Sequence, residues 1–207
     1  MARPRTDLVP RIVRAARARF LAEGVDGASL RDIARGARTS VGMVFYYFPT
    51  KDDLFLAAIE DIYGRVAREL TDALESQGPL RARLERTFLR LGTLSDDELA
   101  VMRLMIREAL LSSKRWRRVL ARVQRGHIDA LVAALARGQA EGELDARLPL
   151  PLVVAATVGI GGVPQLMRRA AGRALPMFEA LGPRVLARAS AELLFKAVGP
   201  AATRRSA

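Results

Sequence analysis

The sequence has no cysteine, one histidine and few aromatic residues, which make up 5% of its 207 residues. The lack of cysteine excludes disulfides, thiolate nucleophiles and thiolate metal sites. With a single histidine, the chain cannot form a metal site from several histidine ligands. The sequence also has neither a glycine-rich phosphate loop nor a histidine pair with metalloprotease spacing. We therefore predict a protein that is not an enzyme and that uses no metal or other cofactor.

Acidic residues are scarce relative to basic ones. The chain has 34 Lys and Arg against 22 Asp and Glu, a formal net charge of +12. Such a balance favours polyanionic partners, either nucleic acid or an anionic membrane surface, and charge alone does not choose between them. The N-terminus is arginine-rich but lacks the apolar core of a secretory signal. Together with the absence of cysteine, this leads us to expect a cytoplasmic protein.

No long stretch alternates between apolar and polar residues with the period of two that is typical of strands. Apolar residues recur instead at spacings of three and four, the pattern of one buried helix face. The clearest series are Leu8-Ile12-Ala16-Phe20, Leu54-Ala58-Ile62-Val66 and Val185-Ala189-Leu193. We predict an all-α protein with short connections: an N-terminal domain at 1–53, a helical domain at 54–199 and a frayed tail at 200–207.

One uncharged run, Leu148–Met167, is twenty residues long and could span a bilayer. It contains three prolines and three glycines, and charged residues flank it on both sides. A helix buried against a partner has the same composition. We favour the buried helix and keep a membrane-associated helical protein as an alternative.

The stretch Ser29–Phe48 has the pattern of a helix-turn-helix. Two short helices, Leu30–Ala37 and Ser40–Tyr47, are predicted to share an apolar face across a tight turn. Ser29 is a good N-cap for the first helix. A preceding helix, Leu8–Leu21, supplies the third wall of a small core. The motif therefore predicts an N-terminal three-helix DNA-binding domain.

The outward side of the second helix favours DNA. Ser40, Val41 and Gly42 are small, so the helix backbone can approach base edges in the major groove. The hydroxyls of Tyr46 and Tyr47 can donate to phosphate oxygens. Another helix starts just after them, with Thr50 as its cap. Lys51 lies in its first turn, where free N–H groups already favour an anion.

The run from Arg11 to Leu54 resembles the DNA-binding domain of the TetR-type transcriptional regulators. The matching features are Ala15-Ala16, Phe20, Glu23-Gly24, Asp32-Ile33-Ala34, Ser40-x-Gly42, an aromatic pair before Phe48, and Lys51 with Leu54. The resemblance implies phosphate contact at Ser29 and a clamp on the backbone from Tyr46, Tyr47 and Lys51. The predicted DNA-binding residues are Ser29, Arg38, Thr39, Ser40, Val41, Gly42, Phe45, Tyr46, Tyr47 and Lys51.

Two positions depart from the family pattern. Arg38 occupies a position where a turn glycine is common, which leaves the geometry of the turn open. Phe45 occupies the position of a common phosphate-binding tyrosine and has no hydroxyl, which puts that contact in doubt. Either the neighbouring tyrosines compensate, or binding relies more on arginine.

The same resemblance implies that the second domain is an effector-binding and dimerisation bundle. It implies a homodimer formed through about 150–167 and 177–198, and a ligand-released repressor bound to palindromic double-stranded operator DNA. Met and aromatic residues suit an adaptable pocket for a small apolar effector. The candidates are Phe88, Met102, Met105, Trp116, His127 and Met167. The alternatives are a non-specific nucleic-acid binder and a membrane-associated helical protein.

Overall fold

The computed structural model describes residues 7–111, 117–118, 121, 124–171 and 181–200. These residues form helices and no strand, which confirms the all-α prediction. The helices are α1 (Leu8–Gly27), α2 (Leu30–Gly36), α3 (Val41–Tyr47), α4 (Lys51–Glu75), α5 (Leu80–Gly92), α6 (Asp96–Leu111), α7 (Asp129–Ala140), α8 (Leu150–Thr157), α9 (Val163–Ala171) and α10 (Pro183–Val198). Trp116, residues 177–180 and residues 201–207 lie outside the described residues.

The chain divides into two compact units. The first combines residues 1–66 with 96–122, and the second combines residues 67–95 with 123–207. The helix α6 therefore groups with the N-terminal helices, although residues 67–95 separate the two segments of this unit in sequence.

The core of the first unit is built from the apolar series that the sequence shows. Ile12, Ala16 and Phe20 on α1 are fully buried. The Phe20 ring packs edge-on against Phe55, with ring centroids 5.9 Å apart. Other buried apolar residues of the motif and of the start of α4 include Ile33, Ala34, Ala37, Val44, Leu54, Ala58 and Ile59. Burial of this apolar surface holds the three N-terminal helices and α4 together.

The helix α1 continues beyond its predicted end at Leu21, and it is kinked at Gly24. Gly24 has a φ of +75°, a conformation that favours glycine, and a Cβ at this position would overlap the guanidinium of Arg107. The next residue, Val25, donates its N–H to the buried carboxylate of Glu108 at 3.5 Å. Two adjacent side chains of α6 therefore contact the end of α1.

The second unit has its own core between α5, α7, α8 and α10. Its buried residues are Leu74, Leu80, Leu84, Phe88, Leu131, Ala134, Leu135, Leu144, Val153, Ala187, Ala191, Leu194 and Val198. The Phe88 ring lies against Gly161, where a Cβ would overlap it. Glu143 accepts the N–H of Leu80 at 2.9 Å, so a loop carboxylate satisfies a free donor at the start of α5.

The uncharged run forms α8, a π-helical turn at Val158–Gly162, and α9. Among the described residues, Leu150–Arg169 is the one helical stretch long and apolar enough to cross a membrane, and 28% of its most apolar part is buried. Its outward side carries Leu152, which is 55% exposed, with Val158, Val163 and Met167 also exposed. Length and composition do not distinguish a membrane span from a helix that packs on a partner.

Candidate nucleic-acid interface

Serine side chains cap both helices of the motif. The Ser29 hydroxyl oxygen accepts the N–H of Asp32 at 3.4 Å, and the Ser40 hydroxyl oxygen accepts the N–H of Met43 at 3.2 Å. Both are N-caps in extended backbone conformation, as the sequence predicts. Ser40 is therefore the N-cap of the second helix. The helices α2 and α3 are each one residue shorter than predicted.

The turn between α2 and α3 is a Schellman motif. Thr39 donates its N–H to the Ala34 carbonyl at 2.9 Å, and Arg38 donates to the Arg35 carbonyl at 3.0 Å. Arg38 has a φ of +52°, and among the described residues it is the one non-glycine residue with positive φ. This conformation costs a side-chain-bearing residue about 1–2 kcal/mol. The turn thus keeps the form that a glycine would give it, and arginine adopts the left-handed conformation.

The exposed side of α3 is small at its beginning and aromatic at its end. Gly42 is exposed, and the nearest atom to a Cβ built there is the Ser40 hydroxyl oxygen at 3.8 Å. Phe45 and Tyr46 are 47% and 75% exposed. Tyr47 meets Tyr46 edge-on, with ring centroids 5.1 Å apart. The helix has no charged residue, so its surface offers apolar contacts and phenolic hydroxyls.

The start of α4 is fixed by a reciprocal cap. The Thr50 N–H and hydroxyl both donate to the Asp53 carboxylate, at 3.1 and 2.6 Å, and the Asp53 N–H donates to the Thr50 hydroxyl oxygen at 3.1 Å. Lys51 donates from Nζ to the Asp26 carbonyl at 2.9 Å. This bond ties α4 to the end of α1 and uses one of three ammonium donors. The predicted phosphate contact of Lys51 stays a prediction.

Some contacts of this unit could not be found in the sequence. The Arg118 guanidinium lies 3.7 Å from Asp52 and 3.9 Å from Asp53, in the first turn of α4. Together with the contacts of α6 on α1, this pair brings residues beyond position 95 onto the helix-turn-helix unit. No local pattern signals such contacts, because the partners are more than sixty residues apart in sequence.

The predicted pocket residues occupy different surroundings. In the second unit, Phe88 is buried in the core, while Met167 is exposed on the outward side of α9. Met105 is buried and Met102 is half-buried on α6 in the first unit. An effector pocket built from these residues stays a prediction.

Burial of His127 lowers the pKa of its imidazole to about 4. The unfolded chain takes up this proton near pH 6.5, so between about pH 6.5 and 4 it binds more protons than the folded chain. We therefore expect stability to fall as pH drops through this window, by up to about 3 kcal/mol. Urea unfolding at a series of pH values between 7.5 and 4.5 measures this loss of unfolding free energy. The His127→Gln variant lacks the titrating group, so its unfolding free energy should change less with pH in this window. A pH dependence as steep as that of the wild type would contradict the assignment to His127.

The comparisons with known proteins agree with this geometry. Residues 12–58 match the family model of the bacterial regulatory proteins of the tetR family. No curated protein matches the sequence. A TetR-family transcriptional regulator from Mesorhizobium loti aligns with a TM-score of 0.67 and 21% identity, over 95% of this chain and 100% of its own.

Two further solved structures align over nearly their whole length. The transcriptional regulator FadR from Bacillus subtilis, solved with stearoyl-CoA, gives a TM-score of 0.70 and 18% identity over 89% of this chain and 96% of its own. GusR from Salmonella enterica gives a TM-score of 0.69 and 20% identity, over 94% of this chain and 96% of its own. The resemblance is thus confirmed: residues 12–58 match the tetR-family model, and the chain has the same all-α fold as these solved TetR-family transcriptional regulators.

Proposed function

We propose that this protein is a sequence-specific repressor that binds a palindromic operator as a homodimer and is released by a small apolar effector. The observation that carries the proposal is the exposed surface of α3. It follows a rigid, capped turn, it has no charge, and at Gly42 it leaves open space next to the backbone. Such a surface lets the helix lie deep in a major groove.

The predicted DNA-binding residues divide by chemistry into two groups. Val41, Gly42 and Phe45 offer apolar contact to base edges, including the thymine methyl group. Ser40 lies in the groove with them. The polar group that contacts phosphates consists of Ser29, Arg38, Thr39, Tyr46, Tyr47 and Lys51. Phosphate contacts position the protein on DNA, whereas base contacts carry the sequence preference.

The homodimer is supported by apolar residues that the single chain leaves exposed in the second unit. On α10, Val185 and Leu193 are 60% and 58% exposed and lie on the side opposite the buried Ala187, Ala191 and Leu194. Leu152 and Met167 are exposed on α8 and α9. Two such helices from each subunit make a four-helix interface. The operator half-sites would then lie about 34 Å apart or at a larger spacing.

The regulatory half of the proposal assigns residues 1–53 to DNA binding and 54–199 to effector binding and dimerisation. The effector favours a spacing of the two recognition helices that does not fit the operator, so effector and DNA must weaken each other by the same factor. One neighbour, FadR, was solved with stearoyl-CoA, which contains a long apolar chain. The protein acts in the cytoplasm, where its DNA target lies.

Selection from a random DNA pool at about 150 mM salt tests the proposal, because that salt weakens non-specific phosphate binding. We expect recovery of an inverted repeat with two equivalent half-sites. Recovery of unrelated sequences would contradict the proposal and favour a non-specific nucleic-acid binder. Sedimentation with membranes after cell lysis would favour the membrane-associated alternative.

A further inference from the structure

Arg38 combines backbone strain with an exposed and unengaged side chain. Its φ of +52° is one that glycine adopts without cost. The residue is exposed, and no hydrogen bond or ion pair holds its guanidinium among the residues that the structure describes. The backbone hydrogen bonds of the turn hold this conformation, whereas the side chain gains no contact within the described residues that would favour arginine over glycine here. A strained residue of this kind is a reason to look for a function of its side chain.

Two other exposed arginines continue from Arg38 along α2. Arg31 and Arg35 are one helical turn apart, about 6 Å along the axis, and both are exposed. Arg35 forms an ion pair with Asp32 at 2.9 Å, which holds its guanidinium close to the helix surface. We call Arg31, Arg35 and Arg38 the α2 arginine row. It places two cations on α2 and a third in the turn that leads into the recognition helix.

The recognition helix offers phosphates the hydroxyls of Tyr46 and Tyr47 but no positive charge. It has no charged residue, and Phe45 has no hydroxyl. One N–H donor of the Lys51 ammonium already forms a hydrogen bond with the Asp26 carbonyl. Cations next to the motif must therefore supply most of the attraction to the DNA backbone, because phosphate neutralisation provides much of the affinity of such proteins.

We infer that the α2 arginine row is the main phosphate-binding surface of this protein, and that arginine rather than glycine occupies the left-handed position 38 because its guanidinium binds a DNA phosphate. This inference rests on the proposed function and adds residues and a role to it. Three exposed guanidiniums close together in sequence can each neutralise a phosphate of the DNA backbone. Planar guanidinium groups also suit two-pronged contacts with phosphate oxygens.

The test uses the full chain and the selected operator, with Kd measured by fluorescence anisotropy between about 75 and 300 mM salt. The variants are Arg38→Gly, Arg38→Lys, Arg31→Gln and Arg35→Gln. Arg137→Gln, at an exposed arginine of α7 in the second unit, is the matched control. Thermal unfolding without DNA is measured for each variant.

We expect Arg38→Gly to raise the unfolding midpoint by about 2–4 °C, because the strain is relieved. The same variant should bind DNA about 3- to 10-fold more weakly, with a salt slope shallower by about 0.9. Arg31→Gln and Arg35→Gln should also lower the slope. Arg38→Lys should retain the slope, and Arg137→Gln should match the wild type.

Two outcomes separate this inference from the proposed function. If the wild type prefers its operator but Arg38→Gly leaves affinity and salt slope unchanged, the arginine row is wrong and the proposed function stands. If the wild type has no sequence preference, the proposed function fails. In that case the row is still tested by the salt slopes on random DNA. Equal wild-type affinity for an RNA duplex of the same length would overturn the assignment to DNA.

Discussion

The Gly42→Glu variant should fold like the wild type and lose operator binding by at least about 100-fold at about 150 mM salt. A Cβ at Gly42 meets open space, so the fold accepts a side chain there. Glutamate at a helix N-terminus is favourable, and glycine is a poor helix former. The new carboxylate, however, faces the phosphates on both sides of the groove. Juxtaposed like charges cost several kcal/mol, and each 1.4 kcal/mol is tenfold in affinity.

The control for this prediction is Ala22→Glu, which adds the same charge at an exposed position of α1 outside the motif. It should lose far less affinity, since only its effect on net charge remains. Anisotropy titrations give the affinities, and thermal unfolding confirms that both variants fold. Operator binding by Gly42→Glu at the level of Ala22→Glu would show that α3 does not enter the groove.

The double variant Val185→Arg and Leu193→Arg should be monomeric and should bind the operator at least about 100-fold more weakly. Both side chains are exposed in the single chain, so the change leaves the core of the second unit intact. In the homodimer the four introduced guanidiniums would be buried in an apolar interface, which is strongly unfavourable. A monomer contacts one half-site only and loses the gain from linking two sites, which is typically 100-fold or more.

Ala133→Arg and Ala136→Arg serve as the matched control, with the same added charge on the exposed side of α7. Sedimentation equilibrium gives the mass of each protein, and anisotropy gives the affinity. The control should remain a dimer with affinity near or above that of the wild type. A dimeric Val185→Arg and Leu193→Arg variant would place the subunit interface elsewhere.

Much of the N-terminal unit could be predicted from sequence because its determinants are local. The spacing of Ile12, Ala16 and Phe20 defines one buried face of a helix, and Ser29 and Ser40 mark helix starts through their own side-chain bonds. The capping pair Thr50 and Asp53 is visible for the same reason. Helix periods and caps act within a few residues, so a single sequence displays them.

The remaining features depend on contacts between distant parts of the chain. The grouping of α6 with the N-terminal helices depends on Arg107 and Glu108, whose partners are about eighty residues away. The sequence leaves the geometry of the turn open, because Arg38 occupies the position of a common turn glycine. The φ of Arg38 and the hydrogen bonds of the turn show that the arginine adopts the left-handed conformation. Which residues of α8 and of the π-helical turn after it face inward also depends on packing, because almost every position there is apolar.

The central claim is that this protein distinguishes one DNA sequence from others, and the ratio of two affinities tests it most directly. The wild-type protein is titrated at about 150 mM salt with the selected operator and with a scrambled duplex of equal length and composition. We predict a preference of about 1,000-fold or more for the operator, as specific DNA-binding proteins show. A ratio near one, with affinity for both duplexes falling steeply and equally as salt rises, would contradict the account.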